Sequence, residues 1–196
     1  MTTLTVAERD LLEGRAASFG ALFRTRVEET PDARAFLYPD ADNVWQPMTW
    51  ADCAEVVYDM AAALVKVGVE RKDRVAIASN TRIEWILSDL AVMCAGGATT
   101  TVYPTTKERD VAFIIDDSGS RCAFLEDREQ LEKLRGNEAL YRNFLAVVLI
   151  DGDDPDERVY SWDEFRALGA AHRAEHPDLI SEIIDGSRPE HLSTLI

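Results

Sequence analysis

One stretch, Val75 to Asp127, narrows the possible folds of this chain more than any other. It alternates short apolar runs with segments of helical period. Val75-Ala-Ile-Ala78 is a buried run. Ile83, Ile86, Leu87, Leu90, Ala91 and Cys94 follow at the spacing of one helix face. Thr99-Thr-Thr-Val-Tyr103 is β-branched and aromatic, as strands are. Val111, Ile114 and Ile115 mark a second helix, and Cys122-Ala-Phe-Leu125 a third strand. Strand, helix, strand, helix, strand predicts a parallel sheet covered by helices, with right-handed crossovers. The strands are expected at 75–78, 99–102, 122–125 and 145–150, and the helices at 50–67, 82–95 and 107–118. Ile86, Leu90, Ile114 and Val148 should be almost fully buried, and Cys94 buried and unpaired.

The joints of this stretch carry turn chemistry. Thr81-x-x-Glu84 and Thr105-x-x-Glu108 both fit the capping box, in which a hydroxyl and a carboxylate satisfy orphan N–H groups. Gly96-Gly97 and Gly119 fall where the two helices should stop.

On either side the pattern stays that of a packed domain. Phe19, Leu22, Phe23 and Val27 have helical spacing, with Pro31 just beyond. Residues 35–38 and 44–48 flank the turn-forming Pro39-Asp-Ala-Asp-Asn43, which predicts a small β-hairpin near 35–48. Thr49 caps a long helix with Asp52 in its first turn. Cys53, Val56, Val57, Met60, Ala61 and Leu64 are its buried stripe, and Gly68 ends it. Residues 127–135 read as a charged helix. Residues 144–150, FLAVVLI, read as a strand covered on both faces. Ser161-x-x-Glu164 opens another helix through Phe165 and Leu168. Residues 1–18 are a polar lead-in, and 174–191, with two prolines, a linker or surface meander. Leu192-Ser-Thr-Leu-Ile196 is strand-like.

Composition excludes several functions. The formal net charge of −15 opposes nucleic acid and anionic membrane surfaces, which want Lys and Arg. No apolar run is long enough to span a bilayer, and no signal-peptide core opens the chain. Cys53, Cys94 and Cys122 read as reduced core residues, as in a cytoplasmic protein, rather than as a catalytic thiol. His172, His176 and His191 are expected to hold no zinc. Asp151-Gly-Asp-Asp-Pro-Asp-Glu157 lacks the ligand spacing of a calcium loop and reads as a solvated loop. No glycine-rich phosphate loop and no nucleophile elbow is present. The carboxyl ends of the expected strands carry Ser79-Asn80 and Tyr103-Pro-Thr-Thr106. Capping and turn formation account for them better than ligand contact. Tyr103 and Thr105 are nonetheless the candidate substrate-binding residues; no catalytic, cofactor or metal residue can be assigned.

The wording of the chain goes further than its pattern. Thr49-Trp50, the segment Gly68-Val-Glu-Arg-Lys-Asp-Arg-Val-Ala-Ile77, Asn80-Thr-Arg-Ile-Glu-Trp85 with Asp89-Leu-Ala91, Ala95-Gly-Gly-Ala98, Tyr103-Pro-Thr105 and Asp117-Ser-Gly119 stand in one order and spacing. In that order they resemble the N-terminal region of the adenylate-forming acyl-CoA synthetases, nearest to the long-chain fatty acid–CoA ligases. The similarity runs over residues 19–196. Two departures stand out: Lys72 where the family has glycine, and Thr101 where many members have proline.

The resemblance implies an α/β fold with a mostly parallel sheet flanked by helices. Residues 19–173 would be the N-terminal subdomain of an AMP-binding domain, and 174–196 a linker and the start of the strand before the family's phosphate loop. It implies a parent that joins fatty acid to CoA using ATP and Mg²⁺, through an acyl-adenylate, with release of AMP and pyrophosphate. The phosphate loop and catalytic lysine have no counterpart among these residues. The expectation is therefore an N-terminal fragment, inactive alone and binding no cofactor, that self-associates through apolar surface. The parent would be cytoplasmic or peripheral at a membrane. Two alternatives stay open: a stand-alone non-catalytic α/β binding module, and part of a fatty acyl-AMP ligase that loads a carrier protein.

Overall fold

The computed structural model describes residues 14–195; residues 1–13 of the expected lead-in lie outside them. Helix α1 (Phe19–Glu29) is capped by Ser18, whose hydroxyl accepts from the Ala21 N–H. Strands β1 (Arg34–Pro39) and β2 (Trp45–Thr49) form the expected antiparallel hairpin. Asp40 holds its turn: one carboxylate oxygen accepts from the Asp42 and Val44 N–H groups, the other from Gln46.

Helix α2 (Trp50–Lys66) starts on a complete capping box. Thr49 Oγ1 accepts from the Asp52 N–H at 3.1 Å, and the Asp52 carboxylate accepts from the Thr49 N–H at 2.9 Å. The elements β3 (Arg74–Ala78), α3 (Ile83–Cys94), β4 (Ala98–Val102), α4 (Glu108–Ser118) and β5 (Ser120–Leu125) then follow as the alternating period predicts. Next come α5 (Arg128–Arg135), the single turn α6 (Glu138–Tyr141), β6 (Ala146–Leu149), β7 (Val159–Ser161), α7 (Trp162–Glu175), α8 (Leu179–Asp185) and β8 (Thr194–Leu195). A second complete capping box, Ser161 with Glu164, opens α7.

The main sheet has the order β7-β6-β5-β3-β4-β8, and every pair in it is parallel. All four strands expected from the sequence are present. Strand β7 is an addition, because three residues are too few to show a period. Alternate strand residues face opposite ways. Val75, Ile77, Cys122, Phe124, Ala146 and Val148 pack beneath α2, α3 and α7. Ala76, Ala78, Ala123, Leu125, Val147 and Leu149 pack beneath α4, α5 and α6. Helix α2 is buried almost all round, because α7 and α3 flank it above the sheet. Gly169 of α7 makes the closest approach: a Cβ there would stand 1.7 Å from the Asp59 carbonyl oxygen. Gly119 closes α4 in the left-handed conformation, with φ +62°.

Four expectations need correction. The Thr81 and Thr105 capping boxes do not form. The chain stays extended at Arg82, so α3 begins one residue later without a side-chain cap, and Glu84 is taken up by Arg82 at 2.7 Å. Thr106 closes a turn on the Tyr103 carbonyl, and α4 starts after Lys107, again uncapped by a side chain. Ile86, Leu90 and Ile114 are half-buried rather than fully buried, whereas Val148 and Cys94 are buried as expected. Residues 174–191 are no meander, since α8 occupies their middle and buries Ile180 and Ile184. Finally, the acidic loop is not simply solvated. Asp154, with 1% of its side chain exposed, accepts from Arg135 at 2.6 Å and from Arg128 at 3.3 Å. Asp156 accepts from the Tyr141 hydroxyl at 2.7 Å.

Lys72 has φ +72°, the left-handed region that costs a side chain. The departure from glycine noted in the sequence thus falls where glycine is the unstrained residue.

Candidate functional site

Open parallel sheets bind ligands at the carboxyl ends of their strands, where the strand order turns back. Here β4 lies to one side of β3 and β5 to the other, so that point is the end of β3 and β5. Ser79-Asn80 follows β3 and Glu126-Asp127 follows β5. The backbone N–H and the side-chain amide of Asn80 both donate to Glu126 Oε2 at 2.8 Å. A carboxylate of the chain itself thus takes the donors that an anionic ligand would use.

The neighbouring charges are also engaged. Arg82 donates to Asp151 at 2.5 Å and to Glu84 at 2.7 Å. Burial works against its charge, but the two carboxylates outweigh burial and hold the guanidinium more basic than usual. Lys133 donates to the Pro104 carbonyl at 2.6 Å and pairs with Glu129. Tyr103 and Thr105 stand on the exposed loop after β4, Tyr103 with 75% of its surface free. The structure places them at the expected edge and joins them to no catalytic group. Glu126, Arg82 and Asp151 are edge residues that the sequence pattern did not single out; strand ends alone, without the strand order, do not show which of them meet.

The remaining chemistry lies elsewhere. The three cysteines are buried and unpaired. Burial raises all three thiols, Cys53 and Cys122 to about 12, which makes them poor nucleophiles. An open groove of about 390 Å³ runs between α1 and α3, lined by Phe19, Leu22, Phe36, Trp50, Ile86 and Leu90. Asp89 forms part of its wall. Its carboxylate is raised by burial, against which the Thr99 hydroxyl, donating at 2.6 Å, works. On the last turn of α7, His172, Glu175 and His176 come together with their ligand atoms within 4.8 Å of one another. Their spacing, H-x-x-E-H, is present in the sequence, where the expectation is that the histidines hold no zinc.

Residues 23–184 match the AMP-binding enzyme family. The chain belongs to that family. The long-chain-fatty-acid–CoA ligase FadD15 of Mycobacterium bovis is 35% identical over 109 residues, which cover 54% of this chain and 18% of that protein. An uncharacterized protein of Mycobacterium tuberculosis is 30% identical over 135 residues, covering 69% of this chain and 73% of that protein. Among solved structures, acetoacetyl-CoA synthetase from Streptomyces lividans superposes with a TM-score of 0.67 at 22% identity, over 76% of this chain and 25% of that one. The fold is thus that of part of an AMP-binding enzyme. The chain spans about a fifth of the ligase it matches.

Proposed function

We propose that this chain is the N-terminal α/β subdomain of a long-chain fatty acid–CoA ligase. Residues 19–173 form the subdomain, and 174–196 lead toward the strand that precedes the phosphate loop. The likeness to FadD15 carries this reading, since that relative is a long-chain fatty acid–CoA ligase. The parent reaction joins a fatty acid to the α-phosphate of ATP, then transfers the acyl group from AMP to the CoA thiol.

The described residues do not fit a triphosphate. Asn80, the donor at the strand-order reversal, is filled by Glu126, and the nearby cations Arg82 and Lys133 are paired. The net charge of −15 works against a polyanion as well. Adenylation depends on donors preorganised around the reacting phosphate, and those belong in this reading to the rest of the ligase. Tyr103 and Thr105, exposed after β4, are the residues proposed to approach substrate once that part is present. Exposed Phe19 and Leu22 beside the open groove support self-association of the isolated chain. Among the described residues no helix is long and apolar enough to cross a membrane; a cytoplasmic or membrane-peripheral parent is part of the proposal.

The test is exchange of labelled pyrophosphate into ATP with oleate or palmitate and Mg²⁺, run on this chain and on the chain extended into a full ligase. No exchange by the short chain and robust exchange by the long one are expected. Robust exchange by the short chain refutes the subdomain reading, and silence in both refutes the ligase.

The second reading is a stand-alone α/β binding module without catalysis. The M. tuberculosis relative favours it, because this chain covers most of that protein's length. The downstream coding sequence decides. A following Tyr-Thr-Ser-Gly-Thr-Thr-Gly run supports the ligase, and a stop supports the module.

A further inference from the structure

We propose that His172, Glu175 and His176 form a binding site for a divalent transition-metal ion of the zinc class. The three side chains sit at i, i+3 and i+4, so one turn of α7 presents them together. Two imidazoles and one carboxylate are a donor set that zinc, nickel and copper accept, and that magnesium and calcium, which prefer oxygen, do not.

The geometry is near what such an ion needs. The ligand atoms lie within 4.8 Å of one another, and bonds of about 2.1 Å in a tetrahedron want them about 3.4 Å apart. Glu175 and His176 are exposed, so side-chain rotation can close that gap without moving the backbone. The imidazole rings already stand edge to face, 4.7 Å between centroids. His172 Nδ1 is shut off from solvent and has no hydrogen-bond partner among the described residues, so that nitrogen is not committed to another of their groups.

The position suits a cation. His172 and Glu175 lie in the last turn of α7 and His176 is its cap, where the helix dipole is negative. Glu175 supplies a full negative charge; Lys66 of α2 is the opposing charge near His172. The body of α7 is held by Arg173, which reaches Glu55 at 3.1 Å and Asp59 at 3.0 Å, so the site stands on a fixed base. Three protein ligands leave at least one position open to water. A bound ion would clip the end of α7 to its cap, just before Pro177 turns the chain into α8.

Cobalt(II) titration of the whole 196-residue chain tests this directly, because a tetrahedral cobalt site absorbs in the visible and zinc displaces it. One equivalent should bind with a visible band, zinc should abolish the band, and magnesium should leave it unchanged. His176→Ala and the His172→Ala/His176→Ala pair should weaken binding at least tenfold, and Glu175→Gln by less. His191→Ala should bind as the parent chain does, and Lys66→Gln as tightly or more tightly. Metal-free melting curves of each variant check that the fold survives; His176 is exposed, so its replacement should leave them unchanged. Absence of a saturable site overturns the proposal, as does equal binding by the double-histidine variant. Loss of binding in His191→Ala also overturns it, since that would move the site elsewhere.

Discussion

Helices α2 and α3 cover the same face of one sheet, and both carry apolar residues at helical spacing. Helix α2 is enclosed. The sheet lies below it, with α7 on one side and α3 near it, and ten of its residues are buried. Helix α3 is enclosed only in part. Its buried arc runs through Leu87, Ser88, Ala91, Val92 and Cys94, while Ile86 and Leu90 turn outward to the groove beside α1. Periodicity tells that a segment is an amphipathic helix. Which arc meets the core depends on what stands on either side, and that is set by other parts of the chain.

The largest test of this contrast is in the enclosed helix. Met60 is fully buried between the sheet and the neighbouring helices. Met60→Ala should cost about 2–5 kcal/mol, the range for large-to-small core changes. Urea unfolding monitored by circular dichroism measures it. A loss below about 1 kcal/mol would show that α2 is not the enclosed member of the pair.

That difference also explains how far the sequence could be read. The parallel sheet, the hairpin and the stripe of α2 were legible, because each rests on a local period that tertiary packing reinforces. The capping boxes at Thr49 and Ser161 were legible for the same reason, since partner and donor lie within four residues. The box at Thr81 failed because Arg82 finds Asp151, 69 residues away, and keeps the chain extended. Ser88, within α3, is fully buried, which the apolar spacing of that helix does not show. Small residues let helices approach closely, and burial of a single hydroxyl leaves no mark on a periodicity count. Helix α8 was hidden between Pro177 and Pro189, and its seven residues are too short for a stable period. At the candidate site, the strand-end positions were visible, but their partners were not. Asn80 meets Glu126 only because β3 and β5 become neighbours across a crossover.

On the open helix the expected effect is smaller. Full burial would have placed Leu90→Ala in the range given for Met60. Half-burial at the groove lowers it to about 1 kcal/mol, since a fully buried leucine contributes about 1.5–3 kcal/mol. The same unfolding experiment compares the two. Equal losses for Met60→Ala and Leu90→Ala would mean that the groove is closed in solution, by self-association or by another surface.

Lys72 sharpens the contrast at the foot of α3. Its N–H donates to the Gly96 carbonyl just after that helix, and it does so at φ +72°. Glycine adopts that conformation without the side-chain penalty of about 1–2 kcal/mol, though it gives back part of this through a freer unfolded chain. Lys72→Gly should therefore stabilise the chain by about 0.5–1 kcal/mol, read as a higher urea midpoint with an unchanged slope. A destabilised variant would mean that the lysine side chain contributes more than its backbone costs.

The smallest effect is electrostatic, and it separates the groove wall from the well-paired acidic loop. Burial raises Asp89, while hydrogen bonds from Tyr141, then from the Arg158 N–H and guanidinium, hold Asp156 down at about 2. The two carboxylates must therefore respond to pH in opposite senses. Asp156 contributes stability above its unfolded pKa, and that contribution is lost as pH falls toward 2. Asp89 binds its proton more tightly in the folded chain. Its contribution is present below the unfolded pKa and is lost as pH rises through the raised folded value. At neutral pH it is a partly buried charge with one hydroxyl partner, Thr99. Asp89→Asn keeps an acceptor for that hydroxyl and removes the charge, so it should stabilise the chain slightly at neutral pH, by no more than about 0.5 kcal/mol. The gain should shrink on acidification, as the parent Asp89 takes up its proton. Melting curves from pH 7 down to pH 3 for the parent chain and the variant give the difference directly. A variant less stable than the parent at neutral pH would show that Asp89 is paired there with a cation, and that the groove between α1 and α3 is covered rather than open.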